Sequence, residues 1–282
     1  MKAAIFYEPN KIEVERVEEP KISYGDILVK VLFSLTCGTD VKLYKRGHPL
    51  VKPPRIIGHE FVGEIVKVGE GVKEFKIGQR VVSANSAPCN SCFYCKIGKE
   101  NLCENLNECI LGFTLDGSYA EYLRIPERIV RQNTFVVPED VNPKRMALLE
   151  PLACVIHGQI LGDIKMGDKV TIIGSGPIGL LHAKVSSLRG AKEVTVIDYN
   201  QFRLDKAKEF GATKTILVKE KEFLEESDVV IEAMGRPETW EMAVKICRKG
   251  GMILAFAPIN PNEFLPLSIH DIFFSEISLI PS

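Results

Sequence analysis

Val170-Thr-Ile-Ile-Gly174-Ser-Gly176-Pro-Ile-Gly179 is the stretch that decides the fold: an apolar run ends there on a glycine-rich turn and a helical pattern follows. Glycine-rich turns are common, so G-x-G-x-x-G alone is weak. Its surroundings supply what the mechanism requires. A strand-like run at 170–173 precedes it, a helix over 179–188 follows, and Asp198 closes the next apolar run, 193–197. At such a junction Gly174 permits the tight turn, Gly176 lets a pyrophosphate approach the backbone, and Gly179 lets helix pack on strand. The helix N-terminus, entered through Pro177 and Ile178, offers free N–H groups and a positive dipole end to phosphates. Pro177 costs little there, since its missing N–H would be unpaired anyway. Asp198 in this place accepts ribose hydroxyls and repels a 2′-phosphate, which predicts NAD over NADP. Tyr199 follows where a basic residue would suit NADP. Arg203 is a candidate phosphate contact, or else a solvated residue on a helix face.

The same rhythm continues outward. Helix over 201–210, strand at 214–218, strand at 228–231, helix over 237–247 and strand at 252–256 alternate to the end of the chain. Alternation of this kind predicts an α/β fold with a doubly wound parallel sheet covered by helices on both faces. Upstream of residue 150 the pattern differs. Short β-type runs at 3–7, 27–34, 61–68, 80–83 and 120–126 are separated by Gly, Pro and Asn turns. The sequence therefore divides into a β-rich domain, 1–150, and a dinucleotide-binding domain, 151–282.

Within the first domain, Cys89-x2-Cys92-x2-Cys95-x7-Cys103 marks a lobe at about 85–110. Four thiolates so spaced close a tetrahedron around a soft divalent ion, the make-up of a structural zinc site with no open position. Disulfides would need an oxidising compartment, yet Met1 runs straight into strand-like sequence with no apolar signal segment. An iron–sulfur cluster would need an electron-transfer context that the rest of the chain does not offer. Eight cysteines in such a chain predict a reducing cytoplasm. Charge is balanced, 36 basic against 37 acidic residues, which argues against nucleic acid and anionic membranes as partners. Cys109, Cys154 and Cys247 read as small core residues, and His157, His182 and His270 as structural.

A second constellation carries chemistry: Cys37 in Thr36-Cys-Gly-Thr39-Asp40, His59 and Glu60 after Gly58, and Glu150 before Pro151. One thiolate, one imidazole and one carboxylate make a three-ligand zinc site with an open fourth position. Taken with the four-cysteine lobe, Asp116-Gly-Ser-Tyr-Ala-Glu-Tyr122 and the Gly174 to Gly179 turn, these motifs resemble the zinc-dependent medium-chain dehydrogenase/reductases, the alcohol dehydrogenase superfamily.

The resemblance implies a GroES-like catalytic domain, a Rossmann domain, and an active site in the cleft between them. It further implies an oxidoreductase moving a hydride between a secondary alcohol and NAD. Glu150 stands where simple alcohol dehydrogenases carry a cysteine, which resembles the polyol, threonine and hexitol-phosphate dehydrogenases. Cys37, His59 and Glu150 would then hold a catalytic zinc, with Glu60 as an alternative ligand during turnover. Asp40 would fix the His59 tautomer, and Thr39 would pass the proton. Where many members place a relay histidine this chain has Lys42, read as solvated, so the proton exits through water; His48 reads as a polar loop residue. Members continue beyond a strand read here at 276–280, returning to the N-terminal domain; this chain stops at Ser282, and that return segment is expected to be absent. That strand also lies at the expected sheet edge, which predicts a homodimer, doubled or not to a tetramer. A non-catalytic NAD-binding zinc protein, a sensor or assembly subunit, is the alternative.

Overall fold

In the computed structural model, which describes residues 1–218, 225–260, 262–265 and 267–282, the chain divides into two compact units, Met1–Glu150 and Pro151–Ser282. The first is built on a five-stranded antiparallel sheet ordered Tyr122–Ile125, Ile27–Ser34, Phe61–Val68, Arg80–Ser83, Thr134–Val136. A smaller three-stranded sheet sets Lys2–Glu8 between Lys11–Arg16 and Arg55–Ile56. Phe61–Val68 lies centrally and is buried on both faces. Phe61 and Ile65 join Ile27, Val29 and Leu123 in one core, while Val62 joins Val82 and Ala147 in another. That double burial makes the strand a fixed base for the residues that enter it, His59 and Glu60.

The second unit is a six-stranded sheet, every neighbouring pair parallel. Its order is Lys214–Leu217, Glu193–Asp198, Lys169–Ile173, Ser227–Glu232, Cys247–Ala255, Ser278–Pro281. Numbered along this unit, that order is 3-2-1-4-5-6, the dinucleotide-binding arrangement, whose ligand crevice opens between the first and fourth strands. Alternation along the first strand feeds two cores. Val170 and Ile172 pack with Ala183 of helix Pro177–Leu188, and Ile173 packs with Trp240 and Ala243 of helix Pro237–Ile246.

Some elements depart from the sequence expectation. The helix after the glycine turn begins at Pro177, with Gly176 as its N-cap, because proline suits the first helical position. The terminal strand is Ser278–Pro281, not 276–280. A short helix, Ile269–Phe274, runs up to it, Glu276 turns the chain at φ +52°, and Ile277 drops into the core. It is an edge strand of the sheet. Among the described residues no helix is long and apolar enough to cross a membrane.

Gly179 shows how tightly the turn is built. A Cβ there would lie 1.9 Å from the Gly174 carbonyl oxygen. Gly179→Ala is therefore expected to destabilise the second unit by about 1–3 kcal/mol, the usual cost of overpacking. Thermal or urea denaturation checks this, and an unchanged midpoint would contradict the close approach.

Candidate functional site

Cys37 is the N-cap of helix Gly38–Arg46, and its Sγ accepts a hydrogen bond from Thr39 N at 3.4 Å. Asp40 reaches back from the same turn to accept the Cys37 N–H through Oδ2 at 2.9 Å. His59 and Glu60 precede the central strand, and Leu35 N donates to the Glu60 carbonyl at 2.9 Å, tying the two segments together. The result is one cluster. Donor atoms of Cys37, His59 and Glu60 all lie within 4.8 Å of one another, with His59 and Glu60 buried.

Electrostatics identify what this cluster lacks. Burial alone would lower the pKa of His59, but Asp40, Cys37 and the charge of Glu150 outweigh it and raise it to about 10. Burial and the charge of Glu150 push Glu60 up, against the pull of His59. Asp40 is buried too, which would raise it, yet His59 and the donors Cys37 N and Tyr119 hold it below the ordinary value. His59 Nδ1 is buried with no hydrogen-bond partner, lying 3.6 Å from Asp40 Oδ1. A thiol and several carboxylates gathered on one buried imidazole form a site short of positive charge, so the residues fit a divalent ion bound by sulfur, nitrogen and oxygen.

The two carboxylates that the sequence places at the cluster, Glu60 and Glu150, stand at different distances from it. Glu60, beside His59, stands inside the 4.8 Å group; Glu150, half-buried at the start of helix Leu149–Leu161, stands outside it and acts on both His59 and Glu60 through its charge. Thr39 is half-buried, two residues after the Cys37 thiol. Lys42 is half-buried rather than solvated. His48 is no plain loop residue, because its ring packs edge-on against Phe113 at 5.0 Å, the same ring that meets His59 at 5.3 Å. His182 is a core histidine, pushed down to about 3 by burial; His157 and His270 are exposed. Cys109 and Cys247 are buried, whereas Cys154 is exposed, on the solvent side of its helix and not in the core.

The four lobe cysteines also converge within 4.8 Å, with Sγ to Sγ distances of 4.0 Å for Cys89–Cys95 and 3.4 Å for Cys92–Cys95. A zinc–sulfur bond of about 2.3 Å implies tetrahedral edges of about 3.8 Å, so the set fits such an ion, and all four are free thiols. Hydrogen bonds from Ser91 and Cys92 pull Cys89 down to about 5, while burial and the neighbouring thiols push Cys95 up to about 12. Four thiolates this close need a cation. Arg128 was not visible as a site residue in sequence. It donates to the carbonyls of Pro88 and Asn105, each at 3.1 Å, and reaches Cys103 Sγ at 3.8 Å, pinning the lobe to helix Glu127–Asn133.

At the glycine turn, Gly174 has φ +106° and a Cβ on Gly176 would point into open space, which leaves its backbone free to meet a phosphate. Asp198 is buried, which would raise its pKa, but N–H groups of Ser175 at 2.7 Å and Asn200 at 2.9 Å hold it low. Its carboxylate thus ties the glycine turn to the start of the next helix. Arg203 is exposed, its N–H capped by Asn200 Oδ1 at 3.2 Å. Arg236, which sequence did not single out, lines a groove of about 370 Å³ with Tyr199, Thr239 and Glu263.

Comparison with known proteins gives a consistent set. Residues 23–137 match the alcohol dehydrogenase GroES-like domain family, and residues 177–282 match the zinc-binding dehydrogenase family. The chain is 32% identical over 291 residues to sorbitol dehydrogenase of Bacillus subtilis, covering 99% of this chain and 81% of that one. It is 37% identical over 251 residues to L-threonine 3-dehydrogenase of Bacillus licheniformis, covering 85% and 70%. Among solved structures, a Sinorhizobium meliloti protein described as a zinc-binding dehydrogenase, bound to NADP, superposes with a TM-score of 0.91 at 32% identity, over 100% of this chain and 83% of that one.

Replacing Cys95 with serine removes one of four converging donors. The expected result is loss of one metal equivalent and a thermal midpoint lowered by several degrees, because metal binding at a closed site is folding energy. Metal analysis with calorimetry checks it; an unchanged metal content would refute the site.

Proposed function

We propose that this chain, which belongs to the zinc-dependent medium-chain dehydrogenases in their polyol and threonine dehydrogenase subgroup, works through the Cys37, His59 and Glu60 cluster, with Glu150 beside it. The protein is a zinc-dependent oxidoreductase acting on CH–OH groups with a nicotinamide cofactor. The observation that carries the site reading is the convergence of three unlike donors within 4.8 Å, with His59 and Glu60 buried and the charges of Asp40 and Glu150 acting on them. Zinc held there supplies a Lewis acid for the substrate hydroxyl, and the nicotinamide accepts the hydride.

The remaining work falls to the chain's own groups. Asp40 fixes the orientation of His59. Thr39, whose hydroxyl both accepts and donates, takes the proton from the substrate hydroxyl. His59 and Glu60, rooted in a strand buried on both faces, hold their positions without help from solvent. In the second unit the Gly176 backbone and first helical turn of Pro177–Leu188 hold the pyrophosphate, and Asp198 takes the ribose hydroxyls. The absence of a basic residue at Tyr199 supports NAD; Arg203 and Arg236 are the cations a 2′-phosphate would meet. Sorbitol-like polyols and threonine-like amino alcohols are the substrate classes the relatives suggest, with sugar-alcohol phosphates as the third class to assay. One zinc at each cluster, a reducing cytoplasm, and a homodimer or tetramer joined through edge strand Ser278–Pro281 complete the reading. Nothing favours a non-catalytic sensor, since every donor of the cluster is present.

Zinc stoichiometry together with NAD reduction over those three substrate classes tests this directly. Two zinc ions per chain and turnover of one class are expected; one zinc and no turnover would refute it. Glu150→Ala should lower kcat by more than the about 10–100-fold typical of an outer residue while NADH binding, read by fluorescence, holds. Near-normal activity would remove Glu150 from the metal set and leave Glu60 as its carboxylate. Asp198→Ala should move the NADP to NAD ratio of kcat/KM upward by about tenfold or more, the worth of a charged hydrogen bond being about 1.5–3 kcal/mol. An unmodified protein that prefers NADP would contradict the role given to Asp198.

A further inference from the structure

Asp116-Gly-Ser-Tyr119 supplies no donor to either metal cluster, yet it is stitched along both segments that carry Cys37, His59 and Glu60. On the His59 side, Asp116 Oδ1 accepts from Arg55 Nη1 at 3.0 Å and from Ile56 N at 3.3 Å. Gly117 N donates to the Ile56 carbonyl at 2.7 Å, Tyr119 N to that of Ile57 at 2.9 Å, and Ser118 N to that of Gly58 at 2.9 Å. Together these bonds fix the three residues that lead into His59. On the Cys37 side, Ser118 Oγ lies 2.7 Å from Ser34 Oγ, and the Tyr119 hydroxyl lies 3.0 Å from the Leu35 carbonyl and 2.8 Å from Asp40 Oδ2.

Tyr119 is where the two sides meet. Its ring lies against Gly58, which has φ +92°, so closely that a Cβ there would fall 2.4 Å from Tyr119 Cδ1. The hydroxyl and the Cys37 N–H share Asp40 Oδ2, which leaves Oδ1 facing His59 Nδ1 at 3.6 Å. One side chain therefore touches the residue before His59 and the carboxylate that orients both Cys37 and His59.

We propose that Tyr119 is a positioning residue of the metal cluster: its ring sets the spacing between the Cys37 and His59 segments, and its hydroxyl fixes Asp40 with Oδ1 toward His59. This rests on Cys37, His59 and Glu60 being metal ligands, as inferred above. Outer residues that orient metal ligands typically change metal affinity or activity by about 10–100-fold.

The test compares zinc-loaded wild type, Cys37→Ser, Tyr119→Phe and Tyr119→Ala, each titrated with a chromophoric zinc chelator beside melting and kinetic measurements. Wild type is expected to show two zinc populations, of which Cys37→Ser lacks one. In Tyr119→Phe that same population should bind about 10–100-fold more weakly, with kcat lowered, while the four-cysteine population and the melting temperature stay in place. Tyr119→Ala should lose thermal stability as well; the phenylalanine variant restores stability without restoring zinc affinity, which separates hydroxyl from ring. Unaltered zinc affinity and kcat in Tyr119→Phe would overturn the inference and leave the ligand reading intact. A single zinc population in wild type, untouched by Cys37→Ser, would overturn both.

Discussion

A buried imidazole held among a thiol and three carboxylates is the constraint on which the first unit depends. His59, Glu60 and Asp40 are each about 5% exposed or less; all lose hydration, and the carboxylates among them repel one another while His59 attracts them. Only two things make such a cluster tolerable: a cation at its centre and backbone that does not give. The chain supplies the second in three ways. A strand buried on both faces carries Glu60 into place, a helix N-terminus seats Cys37, and a clasp at residues 116–119 bonds across the two. The fold thus gathers backbone support around these buried charges.

The same device recurs elsewhere, a buried carboxylate accepting the N–H groups of a turn whose shape matters. Asp40 holds the Cys37 turn, and Asp198 holds Ser175 and Asn200 around the phosphate loop. Glu232, fully buried at the end of the fourth sheet strand, accepts from Met234, Gly235 and Thr239. Asp26 joins Ser23 to Glu127, fastening the first strand of its sheet to the helix that pins the cysteine lobe. Charged acceptors make stronger hydrogen bonds than neutral ones, so one carboxylate can fix a turn that apolar packing cannot reach.

Much of this was legible in the sequence, for a physical reason. Glycine spacing at Gly174, Gly176 and Gly179 is dictated by contacts of a few ångströms between backbone atoms, and cysteine spacing by the reach of a tetrahedron. Both leave marks at fixed local offsets. The strands at 170–173 and 193–197 were equally plain, because parallel strands buried on both faces read as apolar runs. What stayed hidden was non-local. The meeting of Glu60 and Glu150 at His59 depends on how a chain folds across 90 residues, and no local offset encodes it. Tyr119 and Arg128 act by touching segments far from them in sequence, and a tyrosine or arginine in a loop has many bland uses. Cys154 misled because cysteine is usually buried, while its helix turns that face outward.

The two metal clusters differ in what the protein does for them, and the difference follows from packing. Between residues 88 and 108 only Cys103 is buried, so the lobe has no apolar core of its own. The Arg128 contacts tie the lobe down where a core is missing, and an ion bound by its four sulfurs would add folding energy there. Around Cys37 and His59 the order is reversed. Leu43, Ile57, Phe61 and Phe113 are buried in the surrounding cores, and the hydrogen bonds of Asp40 and residues 116–119 tie the Cys37 and His59 segments together. Such preset positions are what the proposed zinc site would need if one coordination position is to stay available for substrate.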